Sequence, residues 1–438
     1  MGTQRRRWPR IALALLLGTL FGLALVEVGA RVVLRARGTP YDAAAARGRL
    51  EALSAGMRAF VPQDAVGERL AAGAALPDLA VLQHPYTGYD VYKGYVEYQR
   101  DLAYFLQPSG AGAGGAAGTF DLLLLGGSVA AQFGEAKSGA RALVERLSTH
   151  PAVAGRPARV FTYARMGFRQ PQSCTQLAFL LAAGFQPDAV VLLDGFNDVA
   201  LGCNNAHNGV SPLFPSTSHW GFLLRHPLSK EGALPLFLSV AEHNARAEAL
   251  ATVALERGYA RSALLGPWAV ARSLRERSQA VAAQQQVEAL SKTGTRSVAE
   301  TGMGFEGDPA QAVDSAVRCW RESSRSMRAL CEARGIVYLH ALQPALHDPD
   351  GGKVPSADER AGASIDEYWL EGVRLGYPRL REALGVLRAG GEHALDLSGL
   401  FRGVEESVYT DYCHLDERGN ARVAAALADA LASALAAR

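Results

Sequence analysis

Cysteine is scarce in this chain, and the spacings that common metal sites use are missing. Five cysteines occur among 438 residues, and no CxxC or HxxxH arrangement is present. The missing spacings argue against a zinc site of the common kinds, and an odd number of thiols leaves at least one free unless it pairs between chains. The five are Cys174, Cys203, Cys319, Cys331 and Cys413.

A strong excess of charge of either sign is also missing. The formal net charge is +2, and no basic domain or arginine-rich stripe of the kind that binds nucleic acid is present. We therefore expect no nucleic-acid partner. Hydrophobic residues make up 49% of the chain, which is enough for a substantial core. The length exceeds that of one average domain but suits a large α/β domain that carries insertions.

The N-terminus combines a basic stretch with an apolar run. Four arginines between residues 5 and 10 precede residues 11–26, which carry no charge. As a helix this run spans roughly 24 Å, slightly less than the ~30 Å hydrocarbon core of a membrane. It is either a cleaved signal peptide or an uncleaved anchor that extends to about Val33. We favour the anchor, with Glu27 and Arg31 one helical turn apart near the far interface.

Both interpretations of the N-terminus place the body of the protein outside the cytoplasm. Under the favoured one, residues 1–35 form a cytoplasmic stub and a single membrane-spanning helix, and the rest is periplasmic or extracellular. Disulfides are allowed in such compartments. A bridge from Cys174 to Cys203 or to Cys413 is therefore a candidate.

Residues 36–119 carry no sharp motif, but one patch in them is dense in aromatic side chains. It runs from His84 to Tyr89, and three more tyrosines follow by position 98. Aromatic crowding of this kind usually reflects packing, so we expect the segment to pack on the main domain. A substrate-facing aromatic wall is the alternative.

A run of four leucines marks the first strand of the main domain. Asp121–Leu125 indicates a short strand buried on both faces, and Gly126-Gly127-Ser128 leads from it into a helix over 129–148. Strands and helices then alternate, which implies a parallel sheet with right-handed crossovers. The further predicted strands are 158–164, 188–193, 336–341 and 393–397, and the further predicted helices are 172–183, 313–334, 365–388 and 417–436.

The alternation of strands and helices stops between about residues 201 and 311. We interpret residues 203–310 as an insertion, a partly helical cap whose polar run 284–307 has too few apolar residues to fold alone. Its histidines share no common face, which predicts that no metal is bound. They are His207, His219 and His226.

The flanking pieces, 120–202 and 311–438, together predict one domain of the α/β class. We expect three layers, α/β/α, around a five-stranded parallel sheet with the flavodoxin-like strand order 2-1-3-4-5. The inserted cap and the N-terminal membrane helix would be additions to this domain.

Four loops stand at the carboxyl ends of predicted strands, where open α/β folds bind ligands. Ser128 offers a hydroxyl nucleophile, His414 a base that accepts its proton, and Asp411 a carboxylate that orients the base. The backbone N–H groups of Ser128 and Gly167, with the side-chain amide of Asn197, can donate to an oxyanion. This chemistry needs no cofactor, so we expect none. If Asp411 and His414 do not serve, the next candidate bases are His340 and His347.

The ordered set of loops resembles the SGNH hydrolases of the GDSL-like superfamily. The resemblance covers roughly residues 120–202 and 311–420, and it implies Ser128 as nucleophile, Gly167 and Asn197 as oxyanion donors, and Asp411 with His414 as the rest of a triad. A membrane segment before such a domain resembles bacterial envelope members. The matching blocks are Gly126-Gly127-Ser128, Gly167, Gly195-Phe196-Asn197-Asp198 and Asp411-Tyr412-Cys413-His414.

The resemblance implies a serine esterase that hydrolyses or transfers O-acyl groups of envelope glycans or lipids through an acyl-enzyme on Ser128. Its partners would be an acylated small molecule, lipid or glycan and, through the N-terminus, the membrane; the oligomeric state stays open. One departure is Gly127, where the family typically has aspartate. Two alternatives therefore remain: a non-catalytic binding or assembly protein on a degenerate scaffold of this type, and an O-acyltransferase.

Overall fold

The computed structural model describes residues 7–54, 81–106, 118–135, 139–153, 155–217, 233–291 and 304–437. The described helices are α1 (Arg7–Ala36), α2 (Ala43–Ser54), α3 (Tyr92–Phe105), α4 (Ser128–Phe133), α5 (Gly139–Thr149), α6 (Gln172–Ala183), α7 (Phe196–His207), α8 (Ala233–Glu256), α9 (Leu265–Ser291), α10 (Pro309–Glu332), α11 (Ala357–Gly362), α12 (Glu367–Ala389) and α13 (Glu417–Ala436). The described strands are β1 (Val81–His84), β2 (Gly88–Val91), β3 (Phe120–Gly126), β4 (Ala158–Thr162), β5 (Ala189–Asp194), β6 (Val337–Leu342) and β7 (Ala394–Asp396).

Contacts divide the chain into two compact units. The larger unit comprises residues 60–235 and 286–438, and the smaller comprises residues 1–59 and 236–285. A parallel sheet with the strand order β4-β3-β5-β6-β7 forms the centre of the larger unit. The predicted α/β class and the flavodoxin-like order of five strands are confirmed.

Alternate leucines of β3 face two separate cores. Leu122 and Leu124 pack in a hydrophobic cluster to which α5, α12 and α13 contribute. Leu123 and Leu125 pack in a second cluster with side chains of α6 and of the C-terminal half of α10. Because successive side chains of a strand point to opposite faces, helices cover both faces of the sheet. This is the predicted three-layer arrangement.

The predicted single helix over 129–148 is wrong, because the chain forms α4 and α5 there. Helix α4 ends at Phe133, with Gly134 as its C-cap. A Cβ built on Gly134 would overlap the side chain of Thr162 on β4. The close approach of the chain to β4 thus needs a glycine at the point where the first helix stops.

The smaller unit is helical and consists of residues far apart in the chain. Glu27 on α1 accepts hydrogen bonds from Ser262 Oγ and from the backbone N–H of Ala263, both at 2.7 Å. Glu27 also pairs with Arg31 at 2.8 Å, one turn along the helix. The carboxylate of Glu27 therefore holds the turn that leads into α9 against α1.

Helix α9 continues to Ser291. The expectation that the polar run 284–307 lacks structure is therefore wrong for residues 284–291, where glutamine, alanine and glutamate are good helix formers. Residues 292–303 of that run lie outside the described residues.

Two expectations about the envelope setting receive no support. Among the residues that the structure describes, no helix is both long enough and apolar enough to cross a membrane. All five cysteines are free, so the candidate bridge from Cys174 to Cys203 or Cys413 is not formed.

Candidate active site

Ser128 is the first residue of α4, directly after β3. The turn before it depends on Gly126, whose φ is +140° and whose place a side chain could not take, because a Cβ there would overlap the carbonyl oxygen of Leu193. Ser128 is partly exposed. Among the described residues its hydroxyl makes no hydrogen bond, so the oxygen is free for a ligand.

Gly127 brings the serine turn against Asn197. A Cβ built on Gly127 would overlap Nδ2 of Asn197, so only glycine allows this approach. The Asn197 amide also donates to the carbonyl oxygen of Phe168 at 2.9 Å, which leaves its second N–H available. Glycine at position 127 therefore has a steric reason: Asn197 fills the space that any side chain there would need.

Gly167 lies in the turn between β4 and α6, with a φ of +71°. The backbone N–H groups of Gly167 and Ser128 donate to no backbone acceptor within the described part of the chain. Arg165 N–H donates to the carbonyl oxygen of Gly126 at 3.0 Å, which ties this turn to the end of β3. The three expected oxyanion donors, Ser128, Gly167 and Asn197, thus lie on neighbouring, mutually contacting turns.

The hairpin β1–β2, whose aromatic residues were expected either to pack on the main domain or to face substrate, holds the Gly167 turn from outside. Tyr89 on β2 donates to the carbonyl oxygen of Met166 at 2.8 Å, and its ring packs edge-on against Phe168 at 5.2 Å. Beside it, Asp90 and Arg165 form a buried ion pair. The aromatic patch around residues 84–98 was the only sequence signal for this support.

The pair Asp411 and His414 forms on the loop before α13. Asp411 Oδ2 lies 2.7 Å from Nδ1 of His414, while its Oδ1 accepts the backbone N–H groups of Cys413 and His414, both at 2.8 Å. The carboxylate therefore fixes both the loop and the imidazole. Nδ1 carries the hydrogen that faces Asp411, which leaves Nε2 as the basic nitrogen.

The electrostatics of this pair favour an ionised carboxylate beside a basic imidazole. Burial acts to raise the pKa of Asp411, but the charge of His414 and the hydrogen bonds to Oδ1 and Oδ2 hold that pKa below its ordinary value. Burial acts to lower the pKa of His414, and the charge of Asp411 outweighs it, so that pKa lies well above its ordinary value. Each group stabilises the charged form of the other.

Aromatic packing connects the loop of His414 to the turn that carries Asn197. The ring of Tyr412 stacks on Phe196, the residue before Asn197, with centroids 5.5 Å apart. Ser128, Gly167 and Asn197 are therefore brought together, and Asp411 with His414 forms a pair on an adjacent loop. No hydrogen bond joins Ser128 to His414 within the described residues, and apo sites often close this bond only with substrate. The catalytic roles of these residues stay predictions.

Glu359 supports the His414 loop from below, and the sequence analysis missed it. Its Oε1 accepts the backbone N–H groups of Val408 and Tyr409 at 2.9 and 3.0 Å, and its Oε2 pairs with Lys353 at 2.7 Å. The carboxylate is fully buried. The spacing Ser356-x-x-Glu359, a capping box at the start of α11, was the available signal.

Asp198 connects, from inside the protein, the turn that carries Asn197 to the turn that carries Gly167. Its Oδ1 accepts the backbone N–H of Gln170 at 2.8 Å, and the Gln170 side chain donates to Asp194 Oδ2 at 2.9 Å. Burial and the nearby charge of Asp194 raise the pKa of Asp198 well above its ordinary value. This carboxyl group positions the Gly167 turn relative to α7.

His340, one of the two reserve candidates for the base, belongs to a second Ser-His-Asp arrangement. Its Nε2 lies 2.9 Å from Asp194 Oδ1 and its Nδ1 lies 2.9 Å from Ser324 Oγ. All three side chains are buried, so no substrate reaches them. The other reserve candidate, His347, bonds the carbonyl oxygen of Ala363 through Nε2 at 3.0 Å.

Comparisons with known proteins provide no independent argument about this site. No family model and no curated protein matches the chain. Among solved structures, a crystal structure from Bacteroides fragilis, provisionally described as an acylhydrolase, matches over 77% of this chain and 95% of its own, at 11% identity and a TM-score of 0.33. A TM-score this low carries no argument, so the interpretation of the site rests on its own contacts.

Proposed function

We propose that this chain is a serine esterase of the SGNH type that cleaves or transfers O-acyl groups through an acyl-enzyme on Ser128. The observation that carries the proposal is the pair of Asp411 and His414, joined at 2.7 Å on a loop packed against the turn of Asn197. Ser128 and the two further proposed oxyanion donors, Gly167 and Asn197, follow the carboxyl ends of three neighbouring strands, β3, β4 and β5. Loops with a purely structural role do not require a serine hydroxyl, N–H donors and a carboxylate–imidazole pair in one region.

In the proposed reaction the Ser128 oxygen attacks the carbonyl carbon of an ester while its proton passes to Nε2 of His414. The carbonyl oxygen takes the electron pair and is held by the N–H groups of Ser128, Gly167 and Asn197. The intermediate then expels the alcohol, which takes the proton from His414, and leaves the acyl group on Ser128. Water, or an acceptor hydroxyl, repeats the sequence and releases the acyl group.

The proposed substrates are acyl esters of envelope glycans or lipids, and the proposed place is outside the cytoplasm. The support is the basic N-terminal stretch followed by the apolar run 11–26. Cell fractionation tests the location: recovery in the periplasmic or membrane fraction supports it, and recovery with cytoplasmic markers contradicts it.

The test of the activity compares Ser128→Ala with the wild-type full-length chain on 4-nitrophenyl acetate. We expect kcat/KM to fall by at least about 10³-fold, as loss of a triad nucleophile commonly does, with an unchanged melting temperature. Ser326→Ala is the matched control, because Ser326 is an exposed serine on α10, and it should keep full activity. Equal activity of Ser128→Ala and the wild type would exclude Ser128 as the nucleophile.

A non-catalytic binding protein is the second candidate, and the missing hydrogen bond between Ser128 and His414 favours it. A serine-directed fluorophosphonate separates the two functions, since it reacts only with an activated serine. Labelling of the wild type, absent in Ser128→Ala, supports the enzyme. Folded wild-type protein that takes up no label and hydrolyses no ester supports the binding protein.

A further inference from the structure

Helices α7 and α12 carry three side chains with different donor atoms that meet on one side of the larger unit. Cys203 and His207 are four residues apart on α7, so they lie on one face of that helix. Glu371 reaches them from α12. His207 Nε2 lies 2.8 Å from Glu371 Oε2, and Cys203 Sγ lies 3.9 Å from the same oxygen.

The spacing of the three donor atoms suits a single metal ion. They all lie within 4.8 Å of one another. In a tetrahedral zinc site, with bonds of about 2.0–2.3 Å, ligand atoms lie about 3.3–3.6 Å apart, between the two distances measured here. Small side-chain rotations would therefore bring all three onto one ion.

The surroundings hold two of the donors in place. The ring of Tyr368 stacks on the imidazole of His207, with centroids 3.9 Å apart and planes at 21°, which fixes the direction of Nε2. Cys203 is buried, so its sulfur has little freedom. Rings and helices that fix donors before the ion arrives lower the cost of ordering a site.

Glycines let the two helices approach closely enough for this arrangement. A Cβ on Gly372 would overlap the carbonyl oxygen of Val199 and would lie 2.8 Å from Cβ of Cys203, and a Cβ on Gly376 would overlap the side chain of Val199. The short distance between the backbones is what allows one carboxylate on α12 to reach both donors on α7.

Access from solvent is open on one side. The side chains of His207 and Glu371 are 27% and 42% exposed, while Cys203 closes the inner side. An ion could therefore enter from solvent and keep a water molecule as its fourth ligand, as zinc sites with three protein ligands do.

We propose that Cys203, His207 and Glu371 bind one zinc ion, which clamps α7 to α12. A thiolate, an imidazole and a carboxylate form a mixed donor set that suits zinc, whereas magnesium and calcium prefer oxygen alone. The ion stabilises the helix that begins with Phe196 and Asn197. It takes no part in the ester chemistry, and the site does not depend on the proposed function.

Cobalt binding tests the site directly, because a thiolate ligand gives Co²⁺ a charge-transfer absorption band that oxygen and nitrogen ligands do not give. Full-length protein, reduced and stripped with a chelator, is titrated with Co²⁺ and then with Zn²⁺. We expect one Co²⁺ per chain with a sulfur band, displacement by Zn²⁺, and a melting temperature that rises with Zn²⁺, since a ligand of the folded state stabilises it.

The variants locate the site. Cys203→Ser should remove the sulfur band, and His207→Ala should weaken binding by more than about 100-fold, since loss of a ligand's hydrogen-bond partner alone costs about 10–100-fold. If Cys203→Ser does not fold, Glu371→Gln at a partly exposed position should weaken Co²⁺ binding, and unchanged binding in that variant would contradict the site. Two controls should bind like the wild type: Cys319→Ser, and His243→Ala, which breaks a His–Glu pair at 2.7 Å that has no cysteine.

A folded, reduced wild type without the sulfur band would overturn the proposal. So would a Cys203→Ser protein that keeps the band, because the sulfur ligand would then lie elsewhere, for example at Cys413. Ser128→Ala should bind the metal like the wild type, so a failed esterase assay and a failed zinc site remain distinguishable.

Discussion

Gly127 stands where the sequence motif that this chain resembles has aspartate, and the contacts around it explain why a glycine is needed. The side-chain amide of Asn197 occupies the space that a side chain at position 127 would need. This amide donates to the carbonyl oxygen of Phe168. A chain with aspartate at this position would need a different placement of the asparagine. The glycine therefore does not by itself indicate a degenerate site.

Gly127→Ala tests this view of the turn. The added methyl group must displace Asn197, so we expect kcat/KM on 4-nitrophenyl acetate to fall by about 10²–10³-fold, the usual effect of losing one oxyanion donor. Gly385→Ala is the matched control, because a Cβ there meets no atom within 4 Å, and it should keep full activity. If the Gly127→Ala protein is fully active, Asn197 is not an oxyanion donor.

The charges of His414 and Asp411 predict how activity depends on pH. The imidazole must be neutral to accept the Ser128 proton, and its pKa is raised by Asp411. We therefore expect kcat/KM to fall on the acid side with a midpoint above ~6.5, the ordinary value. Asp411→Asn should lower both the rate and this midpoint. A midpoint unchanged in Asp411→Asn would show that the pair does not control the reaction.

The same pair makes a matching prediction for stability. A histidine whose pKa is raised on folding stabilises the protein fully below its unfolded pKa of ~6.5, and this contribution is lost as pH rises through the folded pKa. The free energy of unfolding should thus decline on the alkaline side of ~6.5 in the wild type, and less so in Asp411→Asn.

Sequence reasoning named the candidate catalytic residues but not the residues that hold them in place. Ser128 and Asn197 stand in short motifs within three residues of a strand end, and His414 stands in a short motif just before α13, so local patterns were sufficient. Tyr89 acts on Met166, 77 residues further along the chain, and Glu359 acts on Val408, 49 residues away. Contacts at such separations depend on the path of the chain between them, which no local pattern records.

Among the elements, those bounded by strong end signals were predicted well. Helix α6 ends at Ala183 and is capped by Gly184 in a left-handed conformation, with a φ of 111°. Helix α13 starts at Glu417 after the N-cap Asp416, whose side chain accepts the N–H of Gly419. Both helices match the predicted bounds. The hairpin β1–β2 and the short helix α11 were missed. Both are too short for periodicity to reveal, and α11 owes its position to the buried carboxylate of Glu359.

Glu359→Gln tests the role of α11 as a support for the His414 loop. Burial acts to raise the pKa of Glu359, but the hydrogen bonds from Lys353 and from three backbone N–H groups outweigh it, so that pKa is lowered. Its stabilising contribution is present above the unfolded pKa of ~4.3 and is lost as pH falls. At neutral pH we expect the variant to lose about 1–3 kcal/mol of unfolding free energy, together with a lower kcat.

Glu405 is exposed and supplies the control for that experiment. Glu405→Gln should change neither the free energy of unfolding nor kcat. A Glu359→Gln protein with a reduced melting temperature but a normal kcat/KM would show that Glu359 stabilises the fold without positioning the loop.

At the scale of the whole molecule, two sets of a serine, a histidine and an aspartate stand out among the described residues, and burial distinguishes them. Ser324, His340 and Asp194 lie inside the domain, where Trp320 also donates to Asp194 at 2.7 Å and Ser324 donates to Glu392 at 3.1 Å. Ser128 begins α4 just after the carboxyl end of β3, and His414 lies on the loop before α13; both are partly exposed. Sequence motifs favoured His414 over His340, but the burial of His340 with Ser324 and Asp194 depends on contacts between distant segments that no local pattern records.

Ser324→Ala should therefore lower stability but keep activity, whereas Ser128→Ala should lose activity but keep stability. Removing the Ser324 hydroxyl leaves His340 Nδ1 and the Glu392 carboxylate each short of a buried partner, which should cost about 1–3 kcal/mol of unfolding free energy. Ester hydrolysis and fluorophosphonate labelling should persist in the folded Ser324→Ala protein, because no reagent reaches the interior. Ser128→Ala should lose both while keeping its melting temperature. If the folded Ser324→Ala protein loses its label and Ser128→Ala retains it, the buried set is the reactive one, and the domain must open to expose it.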